Sequence, residues 1–273
     1  MRKFVIFIGV LLSFTGCIKE VDWPLKEPGA DLIIVDAILT DEAKTQWITI
    51  TKPVTQLNQD PSPVTGATVL VSNEDSTWSF SEDTNKPGRY LSPPYFIVRT
   101  GKNYTLLVSF SGKIYSAKAE IAEGTVFKEL QYVKNSDDSL FHVDWVASAF
   151  DAEQAAMWEI LLDWSQVEGY SGKDSLLTHA RMLFYTLPTL DVSEIFAPEM
   201  EQISFPAGTT ITENRYSLTP EHAEFVREML LETSWTGGFF NVAASNVSTN
   251  LSAGAKGYFG VCAVTSLSLT VVP

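Results

Sequence analysis

Short runs of alternating apolar and polar residues, set apart by turn residues and with no helical stripe between them, fill the first half of this chain. A chain patterned this way can bury its apolar side chains only by stacking or rolling β-sheets. Residues 32–39 read as a strand, and Trp47-Ile48-Thr49-Ile50-Thr51 alternates as a half-buried strand does. Residues 66–71 follow, then Thr77-Trp78-Ser79-Phe80-Ser81, where aromatic and hydroxyl side chains take turns. Lys86-Pro87-Gly88 signals a turn, and residues 104–110 pair naturally with 114–117 across Ser111-Gly112-Lys113. Strands spaced roughly ten residues apart define a sandwich, here expected over residues 31–123.

Residues 124–273 read as a second β region carrying one helix. Residues 140–145 alternate, 157–164 form a long strand ending at Trp164, and an acidic connection, Asp151 to Ala155, joins the two. Residues 165–218, rich in Ser, Gly and Pro, read as an excursion with little regular structure, the kind of segment with which a surface protein meets its partners. A helix is expected at about 219–233. Thr219 stands as its N-cap, Pro220 takes the first helical position, Leu218 can staple onto Ala223, and His222 falls on the solvent side of the first turn. The helix is expected to pack on a sheet.

The N-terminus supplies an address. Arg2 and Lys3 precede an apolar run, residues 4–12, too short to span a bilayer, and Thr15-Gly16-Cys17 follows. This resembles a lipoprotein signal peptide over residues 1–16 with a bacterial lipobox, although Phe14 stands where leucine is usual. The expectation is that Cys17 becomes the first mature residue and carries the lipid. At roughly 0.8 kcal/mol per buried CH2, two or three acyl chains suffice as an anchor. Residues 17–30 form a tether interrupted by Pro24, Pro28 and Gly29. Lys19, Glu20 and Asp22 resemble the acidic signal that sends Bacteroidota lipoproteins to the exterior face of the outer membrane.

Composition removes several functions. Without residues 1–16 the bases fall from 19 to 17 against 33 acids, a formal charge of −16, which repels nucleic-acid backbones. Cys262, the other cysteine, is flanked by apolar residues and reads as a buried small hydrophobe. His142, His179 and His222 show no metal-ligand spacing, no nucleophile elbow is present, and the acidic pairs at 82–83 and 137–138 lack the spaced oxygens of a calcium loop. No cofactor or metal is therefore expected. Tryptophans are the better lead: Trp78, Trp145, Trp164 and Trp235 are among seven, and a surface tryptophan often marks a glycan or protein contact. Ser76, Ser139 and Ser175, each in an Asp-Ser-x triplet, match the short acceptor motif for O-glycosylation in Bacteroidota.

Two resemblances complete the reading. Val64-Thr65-Gly66-Ala67-Thr68-Val69, Pro87-Gly88-Arg89-Tyr90 and residues 101–108 resemble the motif order of transthyretin-like and carboxypeptidase-regulatory-like sandwiches. The fold expected is therefore mainly β, an N-terminal transthyretin-like or Ig-like Greek-key sandwich followed by the second β region with its packed helix. The helix, Asn246-Val247-Ser248-Thr249-Asn250, Gly254-Ala255-Lys256-Gly257-Tyr258-Phe259-Gly260 and the alternating residues 266–272 resemble the Bacteroidota outer-membrane lipoprotein family catalogued as domain of unknown function 4249. That resemblance carries no catalytic residues. Asn246, Thr249, Asn250, Gly254, Gly257, Tyr258 and Phe259 are its motif positions, expected to be structural: side-chain caps for a loop, and glycines that admit the two aromatics to the core. What it implies is a non-enzymatic accessory or binding module, at the outer membrane and facing the exterior, beside a TonB-dependent β-barrel transporter. A freestanding adhesin or a glycan-binding lipoprotein is the alternative, and a glycan or a peptide is the ligand class either would take.

Overall fold

The alternation predicted along the first half is visible directly in burial. In the computed structural model, strand β1 (Ile33–Thr40) buries Ile33, Val35, Ala37 and Leu39 and turns the residues between them outward. β2 (Trp47–Thr51) buries Ile48 and Ile50 in the same way. The structure describes residues 32–54, 56, 59–136, 139–189, 202–233 and 247–273. Cys17, Lys19, Glu20, Asp22, Trp235 and Asn246 therefore lie outside the described residues.

The strands β3 (Thr68–Ser72), β4 (Thr77–Glu82), β5 (Arg89–Leu91), β6 (Asn103–Phe110) and β7 (Lys113–Glu120) follow. The β6–β7 hairpin turns on Ser111 and Gly112, both at positive φ, the conformation that a tight turn between twisted strands requires. Later come β8 (Gln131–Lys134), β9 (Phe141–Trp145), β10 (Ala156–Asp163), β11 (His179–Thr186), β12 (Thr210–Ser217), helix α1 (Pro220–Thr233), β13 (Ala255–Cys262) and β14 (Val264–Thr270). The molecule is mainly β, sandwich-like, with one α-helix among the described residues.

Eight strands form the larger sheet in the order β13-β1-β2-β5-β4-β3-β6-β7. The pairing of β4 with β5 spans only two residue pairs, so the sheet bends there and its halves face each other across one core. Tyr90, Phe96, Tyr104 and Phe259 fill that core, and Trp78 packs edge-on against Phe96 at 5.1 Å. β13 comes from far along the chain, yet it pairs in parallel with β1 over eight residues, Ile33 opposite Ala255 through Thr40 opposite Cys262.

A second sheet has the order β11-β10-β12-β14, with the β8–β9 hairpin against it. Its inner face carries Trp158, Ile160, Leu162 and Met182, beneath Phe141, Val143 and Phe205. β11 and β12 correct the expectation of irregular structure across 165–218. The period-two signal of β12 is hidden because its inward positions after Ile211 are Glu213, Arg215 and Ser217, all buried and all polar.

The two sheets share one run of chain. β13 ends at Cys262 and β14 begins at Val264, so a single residue, Ala263, separates membership of one sheet from the other. Asp41 holds this crossover: its backbone N–H donates to the Cys262 carbonyl at 3.3 Å, and its Oδ1 accepts from Val264 N at 2.8 Å. Ser217 N donates to the Ala263 carbonyl at 3.0 Å. Helix α1 covers the junction, with Ala223, Val226 and Leu230 packed with Leu218, Tyr216 and Cys262. Thr219 caps it as expected, accepting from His222 N at 3.3 Å.

A candidate binding cleft between the sheets

The outward face of β1 and β2 meets the outward face of the second sheet in a cleft of about 320 Å³. Asp36 and Trp47 stand on one wall, Glu159, Arg181 and Tyr216 on the other, with Lys44 at the edge. Trp47 is the first outward residue of β2 and remains 48% exposed, with the Arg89 guanidinium 5.8 Å from its ring. An exposed indole beside donors and acceptors is a stacking platform for a ring-bearing polar ligand.

On the second-sheet wall of the cleft, the charged groups Glu159 and Arg181 are committed to each other. Glu159 accepts from Arg181 Nε at 2.6 Å through Oε1, and from Tyr216 OH at 3.0 Å and Asn214 Nδ2 at 3.2 Å through Oε2. Burial alone would raise the Glu159 pKa. These donors and the Arg181 charge outweigh it and hold the carboxyl below its usual value, so Glu159 stays ionised and has no proton to give. The Tyr216 phenol is pushed up, by burial first and by Glu159 second, so it remains protonated. Asp36 is reached by solvent, but protein on both sides of the cleft raises its pKa by desolvation. The set offers a stacking surface and fixed hydrogen-bonding groups, without an activated nucleophile.

The C-terminal motif residues do something different. The bent sheet nearly closes on itself, and the gap between β7 and β13 is spanned by residues 249–252 instead of by strand pairing. Ser252 N donates to Ser116 O at 2.8 Å while its Oγ accepts from Ser116 N at 3.0 Å. Asn250 Nδ2 donates to Lys118 O at 2.9 Å and to Phe259 O at 2.8 Å, and its Oδ1 accepts from Phe259 N at 3.0 Å. Thr249 Oγ1 donates to Gly257 O at 2.7 Å. One amide side chain thus bonds both edges and stands in for a missing strand. Gly257 has φ +95°, and a Cβ there would lie 2.0 Å from Val35 O, so only glycine fits. Gly254 turns the chain into β13, Phe259 is fully buried, and Tyr258 is stacked between His222 and Phe225 at 4.6 Å each.

His222 is not on the solvent side. It is 3% exposed and lies against Gly260, where a Cβ would come within 2.5 Å of its ring, and its Nδ1 is 3.7 Å from Cys262 Sγ. A cysteine beside a histidine resembles a catalytic dyad, but here burial pushes the thiol up to about 12 and the imidazole down to about 4. Both are neutral near pH 7, so the pair holds no thiolate. His142 Nδ1 bonds Asn135 Oδ1 at 2.7 Å, and His179 sits on the surface 3.3 Å from Asp163.

The remaining sequence-selected residues are dispersed. Ser76, Ser139 and Ser175 are exposed and far apart in the chain, Ser175 at the start of a short 3-10 helix, Ser175–Leu177. Trp164 is buried, its Nε1 donating to Leu177 O at 3.0 Å, and Trp145 is 37% exposed. Trp47 was legible from the alternation of β2 alone: with Ile48 and Ile50 inward, the residue before them must face out.

The class these features define is a mainly β, sandwich-like protein with two sheets joined through one C-terminal strand pair and an aromatic cleft between them. The chain belongs to the family described as Domain of unknown function (DUF4249), which matches residues 18–268. No curated protein matches the chain.

Proposed function

We propose that this protein is a non-enzymatic binding module, lipid-anchored through Cys17 to the outer membrane, facing the exterior, and working beside a TonB-dependent β-barrel transporter. The observation that carries the binding role is the Trp47 cleft, where an exposed ring faces the hydrogen-bonded Glu159–Arg181 pair, with Asp36 and Lys44 also on its walls. The Thr15-Gly16-Cys17 sequence supports the anchor, and the acidic residues behind it support the exterior face. The transporter partnership rests on the family resemblance. Purification of the native protein from detergent-solubilised outer membranes is expected to bring a β-barrel partner with it, and preparations that never retain one would overturn the partnership. A Cys17→Ser variant is expected to keep its fold and leave the membrane fraction.

The exposed Trp47 ring also favours the alternative of a freestanding glycan-binding lipoprotein, because an indole face stacks on the C–H face of a sugar ring. A glycan array probed with the wild type and with Trp47→Ala separates the two. Glycan binding that is lost in the variant, from a protein that copurifies with no barrel, selects the freestanding reading.

A further inference from the structure

A second pocket, of about 250 Å³, lies over the inner face of the second sheet, away from the Trp47 cleft. Phe127, Trp145 and Trp158 are among its walls, Arg215 lines it, and Lys128 stands at its exposed rim. The rings are held in place: Phe127 meets Trp158 edge-on at 4.8 Å, and Trp158 Nε1 donates to Thr186 Oγ1 at 2.9 Å.

Arg215 is unusual among these residues. Its side chain is 3% exposed, its guanidinium lies 5.6 Å from the centre of the Trp158 ring, and none of the ion pairs among the described residues includes it. Nη1 donates to Ser217 Oγ at 2.8 Å and Nη2 to Gln154 O at 3.1 Å, both neutral acceptors. A guanidinium carries five N–H donors in a planar fork shaped for a carboxylate, and two neutral bonds leave most of that capacity unused. The nearest acid on the pocket wall, Asp151, spends its Oδ1 on the backbone N–H groups of Glu153 and Gln154, each at 2.9 Å. The Asp151 charge reaches Arg215 through space but makes no ion-pair contact with it; a buried cation without a carboxylate in contact costs stability, and an incoming anion would recover it.

We propose that this pocket binds a small organic monocarboxylate with an aromatic or branched apolar body, its carboxylate on Arg215 and its body against Phe127, Trp145 and Trp158. Drug-sized ligands usually occupy about 300–1,000 Å³, so a volume of about 250 Å³ selects something smaller. On a protein of net charge −14, a cationic recess of this kind also discriminates by position, because anions are repelled elsewhere.

The test is titration of the full chain with 3-phenylpropionate and, separately, with its neutral amide, followed by tryptophan fluorescence and by calorimetry. Saturable quenching by the acid is expected, with the amide at least about tenfold weaker. Arg215→Lys keeps the charge and removes the fork, and is expected to weaken the acid by about tenfold or more without changing the response to the amide. Asp151→Asn keeps the Oδ1 cap and removes an opposing charge, so it is expected to tighten the acid severalfold. Trp145→Ala, on the exposed wall, is expected to weaken acid and amide together and keeps the test independent of whether Arg215 variants fold. Equal affinity for acid and amide, no effect of Asp151→Asn, or no saturation by the acid up to about 10 mM would overturn the proposal. None of these outcomes bears on the Trp47 cleft, whose ligand is read separately on the array.

Discussion

Two buried residues with opposite titration behaviour make opposing contributions to how this protein's stability answers pH. Glu213 is 1% exposed, its Oε2 accepts from Leu130 N at 3.1 Å, and burial raises its pKa from 4.5 to about 7. The folded state keeps that proton after the unfolded chain has released it, so stability from Glu213 falls as pH climbs from 4.5 to 7. His222 runs the other way. Its pKa drops from 6.5 to about 4, so the unfolded chain takes up the proton first, and stability present above pH 6.5 is lost as pH falls toward 4. Each shift is about 2.5 units, worth about 3 kcal/mol. Between about pH 4.5 and 6.5 the two slopes oppose each other, and urea denaturation of the wild type is expected to show a shallow pH dependence there. Glu213→Gln should unmask the histidine. Its stability is expected to climb across that window and to exceed the wild type's by about 3 kcal/mol at pH 8, whereas an unchanged profile would show that the carboxyl does not titrate as its burial dictates.

Among the elements, the seam between β7 and β13 is where local chemistry decides whether the larger sheet closes. Asn250 makes three hydrogen bonds across it, two as donor and one as acceptor. Asn250→Ala is expected to cost about 2 kcal/mol, since backbone groups on both strands lose their partner. Asn250→Asp is the sharper probe: it keeps the acceptor for Phe259 N and loses both donations, so a loss near that of alanine would assign the seam's strength to the donor side. Thermal denaturation of the pair reads this directly. The turn-forming character of the stretch was legible in sequence because Asn, Thr and Gly cluster where chain direction changes. Its partner strand was not, since nothing local in Lys118 announces that its carbonyl awaits a side chain from residue 250. Elements whose inner face is apolar were legible for the same physical reason: β2 begins and ends where the alternation of Ile48 and Ile50 places it, and Thr219-Pro220 starts α1. β12 was hidden because Glu213 and Arg215 occupy inward positions, which breaks the apolar period while the backbone keeps its ladder. Glu213 supplies one of the two opposing pH slopes and Arg215 lines the second pocket, so the stretch hardest to read is also where much of the chemistry collects.

At the scale of the whole molecule, the passage from β13 to β14 through Ala263 makes the two sheets one thermodynamic unit. Neither sheet is complete without this run, and Asp41 and Ser217 fix it from opposite sides. Unfolding is therefore expected to be a single transition, with tryptophan fluorescence and far-ultraviolet circular dichroism coincident in urea. Two resolved transitions would show that the sheets are separable. A chain shortened to end at residue 254 should lose cooperative unfolding in both. The parallel pairing of Ile33 with Ala255 adds a consequence in time. A polypeptide emerges from the ribosome N-terminus first, and β1, although β2 follows it at once, must wait for more than two hundred further residues before its parallel partner β13 exists. Closure of so distant a pair is slow to nucleate. The first strand of the larger sheet thus gains its last neighbour only when nearly all of the chain has appeared, so closure of that sheet is expected to be a late event in folding.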